Sequence, residues 1–361
     1  MLCATAAACS SGGSSSAGTA SSGSAQASGP VSFTVGVAPG IPVAAAYAMP
    51  KYAPSGATIK DVPVASGPVE LAGLLSGQIQ VAPIGYATYI QALAKGDKLT
   101  AVAGVANGGL EIVASPKIIP AADVNAAQAA YTGSAPWALL AGKTIATLPG
   151  TYPDMACRQY LDSHGIDLSQ IKFVTAASFS EEMNLVEDGT ADAACGLDPW
   201  PLAARASSKL VLLGYPYPSL TNYLAYSTVL AVSTDEVTSH PEVVQAAVQA
   251  LVNATTALNQ GDDKTTLVDT IATYLPVPKN VLALGVSSAA AGGKDPKFWL
   301  NTVLSNNMNN KSTAQLVPLE LKLGLIQGDQ ATIEQTVTAS FDYTFLAKAT
   351  GKAAADVGSG Q

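Results

Sequence analysis

The sequence is poor in charge and in histidine, and both shortages narrow the functions it can have. Only 12% of its 361 residues are Asp, Glu, Lys or Arg, the net charge is −8, and lysine and arginine form no cluster. Nucleic-acid binding depends on clustered cations that neutralise phosphates, so this class of partner is excluded. The only two histidines, His164 and His240, each precede Gly or Pro at an expected helix end. Their positions argue against a Ser-His-Asp catalytic triad.

Long hydrophobic runs and metal-binding motifs are also missing. No stretch of about 18 apolar residues occurs, which argues against a membrane-spanning helix. The four cysteines show no Cys-x-x-Cys spacing and no glycine-rich phosphate loop is present, so we expect neither a metal nor a cofactor. Cys157 and Cys195 could form a disulfide in an exported protein, but the sequence favours two separate buried thiols.

The first 30 residues are dominated by Gly, Ser and Ala and predict a flexible tether preceded by the remnant of a secretory signal. Ala6-Ala7-Ala8 before Cys9 resembles a bacterial lipobox, although a lipobox usually has Leu where this chain has Ala6. Ordinary cleavage at an Ala-x-Ala site is the alternative. Because a serine-rich spacer follows directly, we expect lipidation of Cys9 and anchoring to a membrane surface.

Two stretches about 110 residues apart repeat one order of elements: strand, Pro-Gly turn, helix, strand, helix, strand. The first covers Val31 to Gly85 and the second Gly142 to Gly196. Corresponding positions are Pro39-Gly40 and Pro149-Gly150, Gly56 and Gly165, Gly77 and Gly189, and Gly85 and Gly196. The chain is long enough for two domains. The repeat therefore predicts two similar α/β lobes with a small-ligand site between them.

Ligands of parallel α/β sheets bind beyond the carboxyl ends of the strands. The chain is expected to cross between the lobes twice, near Glu111 to Ala114 and Ser227 to Ser233, as a closing hinge requires. Candidate ligand-binding residues are those that follow a strand or open a helix at the cleft: Pro39, Gly40, Ser66, Gly67, Tyr86, Gly150, Thr151, Tyr152, Asp198 and Trp200.

Four stretches, in this order and spacing, resemble the substrate-binding proteins of ABC importers in the sulfonate, nitrate, taurine and thiamine-precursor group. They are Glu70 to Gly85, Leu139 to Tyr152, Leu185 to Trp200 and Ser227 to Val244. That family often has Trp two residues before the acid next to proline. This chain has Gly196 there, so Trp200 would have to supply the ring from the other side.

The resemblance implies a type II periplasmic-binding-protein-like fold: α/β, with two discontinuous lobes and two hinge crossings. The expected divisions are 1–30 tether, 31–110 plus 226–350 lobe 1, 111–225 lobe 2, and 351–361 frayed tail. It further implies a monomeric, extracytoplasmic, non-enzymatic protein that delivers a small sulfonate-, pyrimidine- or amine-type ligand to a membrane permease. An enzyme of the same fold in pyrimidine or menaquinone biosynthesis is the alternative.

The chemistry of the predicted cleft favours a neutral or cationic flat ligand, such as a pyrimidine or an aromatic amine. Its turns contain no Lys or Arg, and acids stand in the first turns of three helices: Glu70, Asp154 and Glu182. These acids would reduce the positive potential of the helix ends, unless they serve only as caps, as in a Thr151–Asp154 capping box. Aromatic residues expected near the crevice are Tyr47, Tyr86, Tyr152 and Trp200. A sulfonate held by backbone N–H and hydroxyl groups stays open.

Overall fold

The computed structural model describes residues 30–126, 129–216, 228–260, 265–287, 298–299, 302–308 and 313–358. The predicted tether and Cys9 lie outside these residues. Within the described ranges, no helix combines the length and the apolar character that crossing a bilayer requires.

The strands alternate with helices along most of the chain. The strands are β1 Val31–Val37, β2 Ala57–Pro63, β3 Val81–Gly85, β4 Leu99–Gly108, β5 Leu110–Ala114, β6 Val124–Asn125, β7 Ala130–Tyr131, β8 Thr144–Thr147, β9 Lys172–Thr175, β10 Ala193–Leu197, β11 Val211–Gly214, β12 Thr228–Ser233, β13 Phe298–Trp299 and β14 Thr302–Leu304.

Helices follow most strands of the first 206 residues and then dominate the last third. They are α1 Ala44–Ala48, α2 Gly67–Leu75, α3 Tyr86–Ala94, α4 Tyr152–Ser163, α5 Phe179–Glu187, α6 Trp200–Ala206, α7 Thr234–Ser239, α8 Pro241–Gln260, α9 Thr265–Tyr274, α10 Lys279–Ser287, α11 Thr313–Lys322, α12 Gln330–Ala339, α13 Thr344–Thr350 and α14 Ala354–Gly358.

The strands form two sheets of related topology, and we call the halves built on them lobe 1 and lobe 2. Lobe 1 has the order β13-β14-β4-β12-β3-β1-β2, and lobe 2 the order β6-β7-β11-β5-β10-β8-β9. Strand β1 is parallel to β2 and β3, as β8 is to β9 and β10. The crossing strands β12 and β5 lie antiparallel beside β3 and β10. The two halves of the repeat therefore occupy equivalent places.

The two lobes share one extended hydrophobic core. A continuous cluster of buried side chains includes Val35 and Val81 of lobe 1 and Ala146 and Leu197 of lobe 2. A second cluster lies within lobe 2, on the other side of its sheet, and contains Cys157. Burial of this apolar surface is the main favourable contribution to folding.

The chain near its carboxyl end is more ordered than the sequence predicts. Residues 351–361 were expected to fray, but Ala354–Gly358 forms helix α14, and Val357 is completely buried. The Met308 backbone N–H also donates to the Val357 carbonyl at 3.0 Å. The prediction of a frayed tail is wrong for this segment because one apolar side chain fixes it against α13.

Cys157 of α4 and Cys195 of β10 form a disulfide, with their Cα atoms 5.8 Å apart. The prediction of two separate thiols is wrong. The helix packs directly on the strand that closes the second repeat, and this brings both buried side chains to the same layer of lobe 2. The covalent link therefore ties the cleft-facing helix α4 to the central strand beneath it.

Replacing both residues, Cys157→Ala with Cys195→Ala, should lower the free energy of unfolding by about 2–4 kcal/mol. The physical reason is the loss of a cross-link that restricts the unfolded chain over 38 residues. Urea unfolding of the non-reduced protein and of the double variant measures the difference. Alkylation of the denatured, non-reduced protein is the direct check, and free thiols at both positions would contradict the disulfide.

Candidate functional site

A small cavity lies between the lobes at the carboxyl ends of their central strands. Its volume is about 60 Å³, and both lobes contribute to its wall. Lobe 1 supplies the turn after β1, the start of α2 and the end of β3. Lobe 2 supplies the start of α4, the start of α5 and the end of β10. The repeat thus brings equivalent strand ends to face each other, as expected for ligand sites in α/β folds.

Direct contacts hold the lobes together around this cavity. The Ile41 backbone N–H donates to the Asp198 carbonyl at 3.0 Å, and the Thr88 hydroxyl donates to the Gly150 carbonyl at 2.8 Å. A Cβ added to Gly40 would stand 2.5 Å from a methyl group of Leu197. The lobes therefore meet closely, and glycine is needed where lobe 1 approaches Leu197.

Eight of the ten predicted ligand-binding residues lie in or directly beside this junction. Pro39, Gly67, Thr151 and Tyr152 line the cavity. Gly40, Gly150 and the Asp198 backbone take part in the lobe contacts just described, and Ser66 precedes the first residue of α2. Their role in binding stays a prediction.

Tyr86 and Trp200 are placed differently from the expectation of exposed rings in the crevice. Tyr86 is completely buried, its hydroxyl lies 2.6 Å from the Thr313 hydroxyl, and its ring packs against Tyr89 and Phe341. The Trp200 ring packs against Phe179 at a centroid distance of 5.7 Å. Neither lines the cavity. Each begins a helix, and its side chain packs into its own lobe.

The Tyr47 side chain makes hydrogen bonds to the backbone of the turn after β1. Its hydroxyl donates to the Ala38 carbonyl at 2.9 Å and accepts the Gly40 backbone N–H at 3.2 Å. Its ring stacks on Tyr274 with centroids 4.3 Å apart. Tyr47 therefore fixes the Pro-Gly turn after β1, while other side chains form the wall.

Several wall residues were not among the predicted ligand-binding residues: Val43, Glu70, Thr88, Phe179, Leu197 and Thr228. The repeat contains a signal for one of them. Phe179 opens α5 just as Gly67 opens α2, so the repeat predicts that both face the cleft. Thr228 begins the crossing strand β12, and no pattern distinguishes it from the rest of that strand.

The Thr151–Asp154 capping box is not formed. The Thr151 hydroxyl donates to the Leu148 carbonyl at 2.6 Å instead of capping α4. The Asp154 carboxylate accepts from Arg158, one turn later, at 2.8 Å. The prediction is wrong because the threonine closes the preceding turn and the acid has a cationic partner on its own helix.

Acids in the first turns of the cleft helices are deeply buried. Glu70, Asp154 and Glu182 are each at most 1% exposed. Burial raises the pKa of Glu70 and of Glu182 well above the ordinary value for a glutamate, and the Asp154 carboxylate adds to the increase at Glu182. For Asp154, burial also raises the pKa, and Arg158 opposes the increase. Burial without a cationic partner favours the neutral form.

Asp198 lies in a second buried group, directly after the carboxyl end of β10. The Arg205 guanidinium donates to both Glu111 carboxylate oxygens, at 2.7 and 2.8 Å, and among the described residues no group donates to the Asp198 carboxyl oxygens. Burial raises the pKa of Asp198, the Glu111 carboxylate raises it further, and Arg205 opposes both. The Asp198 side chain is thus part of this group, while its backbone carbonyl makes the contact with lobe 1.

Helix α11 belongs to the carboxyl-terminal part of the chain and packs against both α3 and α4. Leu319 forms an apolar cluster with Ala87 of α3 and Met155 of α4. The next residue, Glu320, is completely buried, and burial raises its pKa to about 8. The nearby Gln91 amide opposes this increase without reaching hydrogen-bond geometry. A carboxyl group is therefore enclosed where three helices from the two lobes meet.

Neither histidine lines the cavity. His164 stacks on Trp137 with ring centroids 4.2 Å apart, and His240 lies beside Glu236 at the start of α8. Within the described residues, His, Cys, Asp and Glu side chains form no group of three suited to a metal ion.

This two-lobed arrangement is the periplasmic-binding-protein fold, and solved structures share it. The alkanesulfonate-binding protein of Xanthomonas axonopodis pv. citri, bound to MOPS, has a TM-score of 0.65 over 88% of this chain and 99% of that one, with 18% identity. The periplasmic nitrate-binding protein of Synechocystis PCC 6803 has a TM-score of 0.73 over 89% and 88%, with 15% identity. The periplasmic aliphatic sulphonate-binding protein of Escherichia coli has a TM-score of 0.60 over 82% and 89%, with 18% identity.

The sequence profile of the NMT1-like family matches residues 27–272, about two thirds of the chain. The protein therefore belongs to the NMT1-like family. No curated protein matches the sequence. The identities to the solved structures are low, so those comparisons establish the fold and not the ligand.

The enclosed Glu320 predicts a pH-dependent stability. Because the pKa of Glu320 is higher in the folded than in the unfolded protein, raising the pH favours the unfolded form. The free energy of unfolding therefore falls as the pH rises from about 4.5 to about 8. Glu320→Gln should therefore gain stability relative to the wild type over this range, by at most about 1.4 kcal/mol per pH unit. Urea unfolding at pH 5, 6, 7 and 8 measures this.

Glu334→Gln supplies the background for this comparison, because it removes a partly exposed glutamate from the neighbouring helix α12. A difference between Glu320→Gln and wild type that stays constant from pH 5 to pH 8 would contradict the predicted ionisation.

Proposed function

We propose that this protein is the extracytoplasmic solute-binding component of an ABC importer. It captures a small organic ligand between its lobes and delivers it to a membrane permease. The observation that carries the proposal is the cavity at the lobe junction, whose wall includes residues from both halves of the repeat. At about 60 Å³ it is well below the roughly 300–1,000 Å³ of ordinary ligand sites, so the lobes must separate to admit a ligand.

Family membership and the fold support this role. The structural neighbours are named as alkanesulfonate-, sulphonate- and nitrate-binding proteins. The Cys157–Cys195 disulfide suits an oxidising compartment outside the cytoplasm. The Ala-rich segment before Cys9 and the serine-rich spacer after it support lipidation of Cys9 as the membrane anchor. A monomer is sufficient, since both lobes come from one chain.

The wall chemistry supports a neutral or cationic ligand with a flat apolar part. None of the described residues that line the cavity is Lys, Arg or His, and many are proline or other apolar side chains. Binding without catalysis fits this wall, because neither histidine reaches it. The enzyme alternative would need a proton-transferring group that is ionisable at neutral pH, and Glu70 is the one carboxyl group in the wall.

A thermal-shift screen of the full chain tests the proposal. The compounds are taurine, alkanesulfonates, nitrate, pyrimidines, thiamine precursors and aromatic amines. A ligand of the native state at a hundredfold excess over its Kd stabilises by about 2.7 kcal/mol and raises Tm. Small-angle X-ray scattering of each positive pair should show a radius of gyration no larger than that of the protein alone, as closure requires. A panel without any shift, or turnover of a bound compound, would contradict capture as the function.

A further inference from the structure

Glu70 and Glu182 occupy equivalent positions in the two lobes. Each lies four residues after a serine, Ser66 or Ser178, and its backbone N–H donates to that serine's carbonyl, at 3.0 and 3.1 Å. Each lies in the first turn of the helix that precedes the central strand of its lobe. Both side chains are buried. The repeat has thus placed the same acid at the same point of both lobes.

Only one of these two acids faces the cavity. Glu70 belongs to the wall, whereas Glu182 does not. The Oε1 atom of Glu70 accepts the Ala38 backbone N–H at 3.2 Å, and among the described residues nothing donates to Oε2. Ala38 directly follows strand β1, so the carboxyl group is fixed at the carboxyl edge of the lobe 1 sheet. Because Glu70 belongs to the cavity wall, its second oxygen is left available to a ligand there.

The rest of the wall offers little polarity near this carboxyl group. Pro39, Pro42, Val43, Phe179 and Leu197 supply apolar surface from both lobes. The Thr88 and Thr151 hydroxyls already donate to backbone carbonyls. A ligand that fills this cleft therefore meets apolar side chains over most of its surface and one strong acceptor at Glu70.

We propose that the cleft binds a small organic cation, whose protonated nitrogen donates a hydrogen bond to the free oxygen of Glu70 while its apolar part packs against the proline and Phe179 side chains. This inference rests on the proposed capture function and specifies its ligand class. The contact combines opposite charge with a hydrogen bond in a water-poor site, which is where such pairs are strongest.

The state of Glu70 without a cation supports this assignment. Burial raises the pKa of its carboxyl group, and the Ala38 N–H only partly opposes the increase. Among the described titratable groups, the Tyr47 phenol on α1 is the one that interacts with Glu70, and it is neutral near pH 7, since burial raises its pKa too. A cation would favour the ionised carboxylate, so its binding would release a proton and tighten with rising pH until the ligand itself deprotonates.

Isothermal titration of the full chain with probes of matched carbon framework and different charge tests the proposal. The probes are benzamidine, benzamide and benzenesulfonate, with butylamine and butanesulfonate as a smaller pair, at pH 6 and pH 8. We expect heat and binding only from the cationic members, with a lower Kd at pH 8. Glu70→Gln keeps an oxygen for the Ala38 N–H but loses the charge, and it should raise the Kd for the bound cation at least tenfold.

Glu182→Gln is the matched control, because it removes the equivalent buried acid of lobe 2 without changing the wall. Its Kd should stay within about threefold of the wild type, and thermal unfolding of both variants checks that they fold. If benzenesulfonate or butanesulfonate binds and Glu70→Gln leaves that Kd unchanged or lowers it, the assignment of a cationic ligand is overturned. Capture as the function would stay intact. An equal loss of affinity for the cation in both variants, or an unchanged Kd in Glu70→Gln, would also overturn the role of Glu70. Failure of all five probes overturns the inference, whereas capture itself fails only when the wider thermal-shift panel is negative as well.

Discussion

The arrangement of this protein depends on one constraint: the central strands of both lobes must end at a common junction. Strands β1 and β3 of lobe 1 end opposite the turn after β8 and the end of β10 in lobe 2. The Ile41 N–H to Asp198 carbonyl bond and the close approach of Gly40 to Leu197 fix this junction through the backbone and a small residue. The chain crosses between the sheets at β5 and β12. Each of these strands lies antiparallel beside a central strand of the sheet that the chain enters.

Low overall charge coexists with an unusual concentration of buried acids around that junction. Glu70, Glu182, Asp198 and Glu320 are all fully or almost fully buried. Among the described residues, Arg158 and Arg205 are the partly buried cations that pair with buried acids. Arg205 is committed to Glu111 and Arg158 to Asp154. Carboxyl groups without such partners favour their neutral form when enclosed. Ionisation of these enclosed groups therefore disfavours the folded structure.

The sequence repeat accounts for much of the fold, because the residue type at a turn limits the backbone conformation that the turn can adopt. Gly77 and Gly189 both follow the helix before a central strand, and both have positive φ, 74° and 86°, a conformation that favours glycine. The wall was harder to predict. A helix start such as Tyr86 identifies the edge of the sheet, but whether the side chain turns to the cleft or packs on Phe341 depends on α11 and the segment after α12, far along the chain. The disulfide likewise depends on how α4 lies on β10, which spacing alone does not determine.

The choice of ligand is separable from the fold, and the two lobes show why. Each lobe directs helix N-termini at the junction, an arrangement that favours anions. In this chain the first turns of α2 and α5 carry Glu70 and Glu182, so the positive helix ends already have carboxyl groups beside them. An anion would have to enter next to Glu70 with no Lys, Arg or His among the described wall residues to compensate. The sulfonate- and nitrate-binding proteins share the fold at 15–18% identity, which leaves ample room for the wall to differ. The sign of the charge in the wall, rather than the common fold, is therefore the better guide to the ligand class.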